Sequence, residues 1–205
     1  MISRRFNVPI EIHATDLSDG AARQKLADEI GDVDILINNA GAIPGGGIDD
    51  VDEARWRESW ELKVWGYIHF TRIYYARMRA MNGGTGGGAI VNVCGMGGRL
   101  SMPGYIAGTA GNAALIQFSI SLGEEAIKNG VRVVCVNPGP TATERMTYLA
   151  KLRAEKEFGD PERWEEYSGQ SRFGRAATPH EVANVVAFMA SDRASYVSGV
   201  ALDMG

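Results

Sequence analysis

Short, largely apolar runs, spaced so that a helix fits between each pair, constrain this chain more than any other feature. The runs are residues 33–38 (VDILIN), 89–94 (AIVNVC), 131–136 (VRVVCV) and 196–204 (YVSGVALDM). A run without polar alternation is the pattern of a strand covered on both faces, as in a parallel sheet. Residues 8–13 are a fifth, shorter strand candidate, ending just before Asp16-Leu17. Helical patterns lie between the runs. Residues 21–30 follow the N-cap candidates Ser18 and Asp19. Residues 53–81 carry the stripe Trp56, Trp60, Lys63, Val64, Tyr67, Thr71, Tyr74 and Met78, which follows the helical period. Residues 105–128 form a small-residue helix closed by Asn129-Gly130. Thr178-Pro179-His180-Glu181 is a capping box with Pro at the first helical position, and it opens a helix to Ala190. The alternation predicts an α/β fold. It is a single domain over residues 1–205, with a parallel sheet, right-handed crossovers and helices on both faces.

The net charge of −4 argues against nucleic acid or an anionic membrane surface as partner. No apolar run approaches the roughly 18 residues of a membrane-spanning helix, and the opening MISRRFNVPI does not read as a signal peptide. Cys94 and Cys135 lie in apolar runs without CxxC spacing, which predicts reduced core thiols in a cytoplasmic protein. Cys94 as a nucleophile would need a His nearby, and none is close in sequence. His13, His69 and His180 are scattered, so no metal site is expected. The loop at 82–88 holds five glycines, but it precedes a strand, and it reads as a flexible connector rather than a phosphate loop. Residues 143–170 are charged with scattered aromatics (Tyr148, Phe158, Trp164, Tyr167) and predict one or two helices. With the residues that follow, 144–177 would form a mobile cover over the site.

In a doubly wound sheet, ligands bind at the carboxyl ends of the strands. Asp16, residues 39–41, residues 94–96 and residues 138–143 all fall there. Tyr105 follows the turn containing Gly95, Gly97 and Gly98 and stands at the mouth of a helix, which would aim its phenol into the same cleft. A packed core tyrosine is the alternative.

Four short motifs in this order resemble those of the short-chain dehydrogenase/reductase family. They are Asp16-Leu17, Asn38-Asn39-Ala40-Gly41, the run Asn137-Pro138-Gly139-Pro140-Thr141-Ala142-Thr143, and YVSGVALD from Tyr196. The resemblance covers essentially the whole chain. It implies a Rossmann-like fold, NAD or NADP as cofactor, and interconversion of a secondary alcohol and a ketone. It also implies a homodimer or homotetramer through the helices at 53–81 and 105–128. The cofactor-binding residues it implies are Asp16, Leu17, Asn39, Ala40, Gly41, Tyr105, Pro138, Gly139, Thr141 and Thr143, with Tyr105 as acid/base.

The catalytic set departs from the family pattern. Gly95 stands at the position of the family's Ser, Thr109 at that of its Lys, and Lys63 at that of its Asn on the long helix. One reading is that Lys63 restores the missing positive charge beside Tyr105. The other is that its stem carries the ammonium out to solvent. Thr109 and Asn112, one and two turns after Tyr105, could replace some lost hydrogen bonds. The family's opening GxxxGxG unit has no counterpart before residue 8, which predicts an N-terminally truncated version of the fold. The strand at 33–38 would then keep an open apolar edge. The substrate is expected to be a neutral, partly apolar alcohol or ketone. The competing function is a non-catalytic binding or subunit-pairing module of the same fold.

Overall fold

The computed structural model describes residues 7–168 and 171–205. Four strands form one parallel sheet in the order β1-β2-β3-β4: β1 (Ile35–Asn38), β2 (Ala89–Val93), β3 (Arg132–Pro138) and β4 (Ala201–Met204). The helices are α1 (Gly20–Ile30), α2 (Glu53–Trp60), α3 (Gly66–Gly84), α4 (Ile106–Ala126), α5 (Glu144–Phe158), the short α6 (Glu165–Ser168) and α7 (Pro179–Ala190). Strand–helix alternation and all-parallel pairing are as the apolar runs predict.

Side chains alternate across the sheet and bury two unlike faces. On one, Ile90 and Val133 pack under Ala27 of α1, Phe70, Tyr74 and Met78 of α3, and Ala126 of α4. Nearer the carboxyl ends of the strands, Cys94 and Cys135 continue this face against Val64, Tyr67 and Leu115. On the other, Val91, Val93, Val134 and Val136 pack against Val186, Met189 and Ala190 of α7. Buried amides tie the layers together. The Asn38 amide donates to Asn92 Oδ1 (2.8 Å) and Thr71 Oγ1 (3.2 Å), and the Asn92 amide donates to Ser119 Oγ (2.9 Å). Each amide thus finds a partner that its burial requires.

Three expectations change. Residues 8–13 form no strand, and Val8, Ile10 and Ile12 are exposed, Ile12 by 88%. An extended segment becomes a strand only against a partner ladder. Among the described residues nothing pairs with the outer edge of β1. That edge is open as expected: Ile35 and Ile37 share the face of Val91 by register, and each is 47% exposed. The long helix at 53–81 is two helices joined by a π-helical turn over Glu61–Trp65, where the Gly66 N–H reaches back to Glu61 O. The last strand begins at Ala201 rather than Tyr196. Ahead of it, Ser198 Oγ accepts from Val133 N and donates to Gly123 O, a side-chain clasp beside the backbone bonds Gly199 N to Val133 O and Cys135 N to Val200 O. The capping box of α7 forms as predicted, with Glu181 N donating to Thr178 Oγ1 and Thr178 N to the Glu181 carboxylate.

Candidate active site

The carboxyl ends of β1, β2 and β3 open into a cleft of about 270 Å³. It is lined by Asn39, Gly41 and Ile43 after β1, by Val93, Cys94 and Gly95 at the end of β2, and by Pro138 and Thr141 after β3. Lys63, Tyr105 and Arg145 complete the wall.

Tyr105 is the N-cap of α4. The loop after β1 steadies it: Gly46 N donates to Gly104 O (2.7 Å) and Ile106 N to Gly46 O (3.3 Å). Its ring lies over Gly108, one turn into the helix, where an added methyl would overlap the ring atoms. Gly108 therefore sets where the phenol lies. Burial pushes the Tyr105 phenol above its ordinary range, against the pull of the nearby Arg145 guanidinium. Arg145, in the first turn of α5, also donates to Ile43 O through Nη2. A second tie, Lys156 Nζ to Asp50 Oδ2 at 2.7 Å, holds the other end of α5 over the same loop.

Lys63 enters the cleft but does not meet the phenol. Its ammonium donates to Val93 O (2.9 Å), Cys94 O (3.1 Å) and Tyr67 Oη (3.3 Å). An ammonium has three donors, and these acceptors engage all of them. The reason is local. The carbonyls of Val93 and Cys94 lie where the β2 ladder runs out, and buried carbonyls need donors. Lys63 and the Tyr67 hydroxyl, which donates to Val93 O at 3.0 Å, supply them. Burial lowers the Lys63 pKa, with the Cys94 and Cys135 thiols pulling the other way. The stem crosses Gly41, where a Cβ would lie 2.6 Å from Lys63 Cδ, so the residue at 41 has to be glycine for Lys63 to hold this pose. The expectation that Lys63 charges Tyr105 gives way to Arg145, which sequence reasoning passed over as part of the cover.

The other expected residues divide. Asn39, Gly41, Pro138 and Thr141 line the cleft; Asp16, Leu17, Ala40, Gly139 and Thr143 are not among its lining residues. Asp16 is turned onto Ser18, accepting from its N–H (2.9 Å) and hydroxyl (2.7 Å). Leu17 O accepts from Arg23 Nη1 (2.8 Å). Gly139 N donates to Met204 O, and Thr143 caps α5. Thr109 Oγ1 donates to the Tyr105 backbone carbonyl (2.9 Å), not to the phenol. Asn112 is buried, and its Oδ1 has no hydrogen-bond partner. Cys94 and Cys135 are both buried free thiols. Among the described residues no cluster of side chains could hold a metal ion, and no helix is long and apolar enough to cross a membrane.

The chain matches, over residues 5–204, the protein family described as enoyl-(acyl carrier protein) reductase. It is similar to the uncharacterized oxidoreductase YvrD of Bacillus subtilis, with 33% identity over 196 residues, 92% of this chain and 73% of that one. It is 29% identical over 181 residues to a diacetyl reductase, (S)-acetoin forming, of Staphylococcus aureus, covering 87% of this chain and 68% of that one. L-sorbose reductase from Gluconobacter frateurii, solved with NADPH and L-sorbose, superposes with a TM-score of 0.82 at 29% identity, over 99% of this chain and 78% of that one.

Proposed function

We propose that this chain, which belongs to the short-chain dehydrogenase/reductase family, is an NAD(P)-dependent oxidoreductase interconverting a secondary alcohol and a ketone, with Tyr105 as the acid/base. The observation that carries the reading is Tyr105 itself. Its phenol lines a cleft at the carboxyl ends of three parallel strands, beside a guanidinium and neutral hydrogen-bonding groups. The similar diacetyl and sorbose reductases support the alcohol/ketone class.

The donor set suits the nicotinamide end of a dinucleotide. Asn39 offers an exposed amide, the Thr141 hydroxyl, which donates to Gly139 O (3.1 Å), offers its lone pairs as an acceptor, and Gly41 and Pro138 leave the approach free of long side chains. Asp16 and Leu17, exposed or half-buried beyond β1, would serve the adenine end. A bound nicotinamide supplies or accepts the hydride. The protein's part is the proton. In the reducing direction Tyr105 Oη gives its proton to the carbonyl oxygen, and the Arg145 guanidinium beside it stabilises the phenolate left behind. Because burial raises the phenol pKa, Tyr105 stays protonated through the neutral range, which favours donation and hence reduction. The cover, α5, shuts water out of this exchange.

A non-catalytic module of the same fold is the second reading. Its support is specific: the Lys63 donors and the Thr109 hydroxyl are spent on backbone or neighbouring groups, and Gly95 offers no hydroxyl. Titrating NADH and NADPH into the chain while following nicotinamide fluorescence separates the two, followed by cofactor oxidation with small ketones. Binding plus turnover that falls about 10²- to 10⁴-fold in Tyr105→Phe is the expected result. Absence of dinucleotide binding, or a Tyr105→Phe variant as active as the parent, would sink the oxidoreductase reading.

A further inference from the structure

Charge in the cleft is unbalanced. Of its lining residues two are cations, Lys63 and Arg145, and none is Asp or Glu, although the chain as a whole carries a net charge of −4. Neither cation has an ion-pair partner among the described residues, whereas Arg23, Arg57, Arg77, Arg99, Lys151, Lys156 and Arg175 all do. Lys63 is largely buried without a counter-charge, which is costly, and an anion entering the cleft offsets that cost; Arg145 is exposed and carries no such penalty.

The two cations differ in what they have left to offer. Lys63 has given its three donors to Val93 O, Cys94 O and Tyr67 Oη. Arg145 presents five N–H groups. One goes to Ile43 O, and the guanidinium lines the same cleft as the Tyr105 phenol. Donors remain, in the planar fork that matches a carboxylate. They stand beside the hydroxyl that would meet the reacting oxygen.

We propose that the cleft takes a hydroxy or oxo acid, and that Arg145 is the specificity-determining residue that receives its carboxylate, with Lys63 adding a fixed positive field behind it. Guanidinium and phenol line one cleft of about 270 Å³, which suits a small acid whose carboxylate sits on the carbon alpha or beta to the one bearing the reacting oxygen. This replaces the neutral substrate that the sequence suggests. It rests on the oxidoreductase reading for the reaction, but the anion preference of the cleft stands apart from it.

The test compares acetoacetate with its uncharged methyl ester by calorimetric titration of the full chain at low salt, with and without saturating NADP. Acetoacetate should bind about ten-fold or more tightly than the ester, as expected of a charge-assisted hydrogen bond, and added salt should erode the difference. Arg145→Gln should abolish the preference. Arg145→Lys, which keeps the charge and loses the fork, should retain part of it. Equal binding of acid and ester, no measurable binding of acetoacetate in either arm, or a preference that survives Arg145→Gln in a folded variant overturns the proposal. If the chain binds no dinucleotide yet still prefers the acid, the reaction assignment fails and the anion site stands. Turnover of ketones without acid preference is the converse.

Discussion

Gly108→Ala separates the stability of this protein from its chemistry. Gly108 lies in the first turn of α4 without a positive φ, so alanine gains up to about 1 kcal/mol of helix propensity. The new methyl would overlap the Tyr105 ring, whose only way out is to swing off the helix face. That movement takes the hydroxyl away from the Arg145 guanidinium, a loss of about 1.5–3 kcal/mol on the scale of contacts to charged groups. The net loss is about 0.5–2 kcal/mol, or roughly 1–8 °C in Tm for a chain of this size. The chemical effect is larger, because a displaced acid/base forfeits about 10²- to 10⁴-fold in rate. Thermal unfolding followed by circular dichroism measures the first. Spectrophotometric titration of tyrosines reports the second without a known substrate. Once its ring reaches solvent, Tyr105 should titrate lower, near its ordinary value of 10.0, where the parent holds it higher. A folded Gly108→Ala variant with an unchanged tyrosine titration and unchanged turnover refutes the placement of the ring and its role.

Four other outcomes follow from the structure. Reduction by the parent enzyme should be flat through neutral pH and fall only as pH climbs through the raised Tyr105 pKa, and a pH–rate profile with a descending limb near neutrality would contradict this. Burial lowers the Lys63 pKa from 10.5, so as pH rises the folded state releases this proton before the unfolded state does; the unfolded state then binds more protons and stability climbs with pH in that window. Lys63→Met should flatten that alkaline rise in Tm. Glu181 is held down to about 2, first by Arg175 and then by the Thr178 N–H and hydroxyl. Its contribution is complete above its ordinary 4.5 and is lost as pH falls toward 2, so Glu181→Gln should show a shallower acid loss of Tm than the parent. The bare edge of β1 offers Ile35 and Ile37 to any other strand, and Ile37→Lys should reduce concentration-dependent association in sedimentation velocity.

What could be read from sequence divides by the range of the interaction. The strands at 89–94 and 131–136 and the box at Thr178 were legible because burial on both faces and a four-residue cap are local patterns. Residues 8–13 looked like a strand for the same reason, yet strand formation is a property of a pair, and among the described residues no strand pairs with them. The π-helical turn at Glu61–Trp65 was hidden because the stripe keeps its three- and four-residue spacing straight through it, from Trp60 to Lys63, Val64 and Tyr67. Its consequence is visible only in space, where Lys63 and Tyr67 from neighbouring turns converge on the end of β2.

The site was legible in its positions more than in its chemistry. Strand ends placed Asn39, Gly41, Pro138, Thr141 and Tyr105 around one cleft. A helical stripe correctly turned Lys63 inward. Neither pattern says which acceptor a long side chain will find. For Lys63 the nearest need was structural: two carbonyls at the end of a ladder, which a buried fold has to satisfy before any ligand arrives. Arg145 was invisible for the opposite reason, since it lies on an exposed, charged helix whose tie to Ile43 O is made only when α5 closes over the loop after β1. The two cations therefore reach the same cleft through unrelated demands, one from the backbone and one from the cover. This asymmetry decides which of them can choose a ligand. Lys63 contributes the same field to every occupant because its donors are spent. Arg145 alone has donors that an occupant either meets or leaves unpaired, so ligand preference should follow residue 145 and stability should follow residue 63.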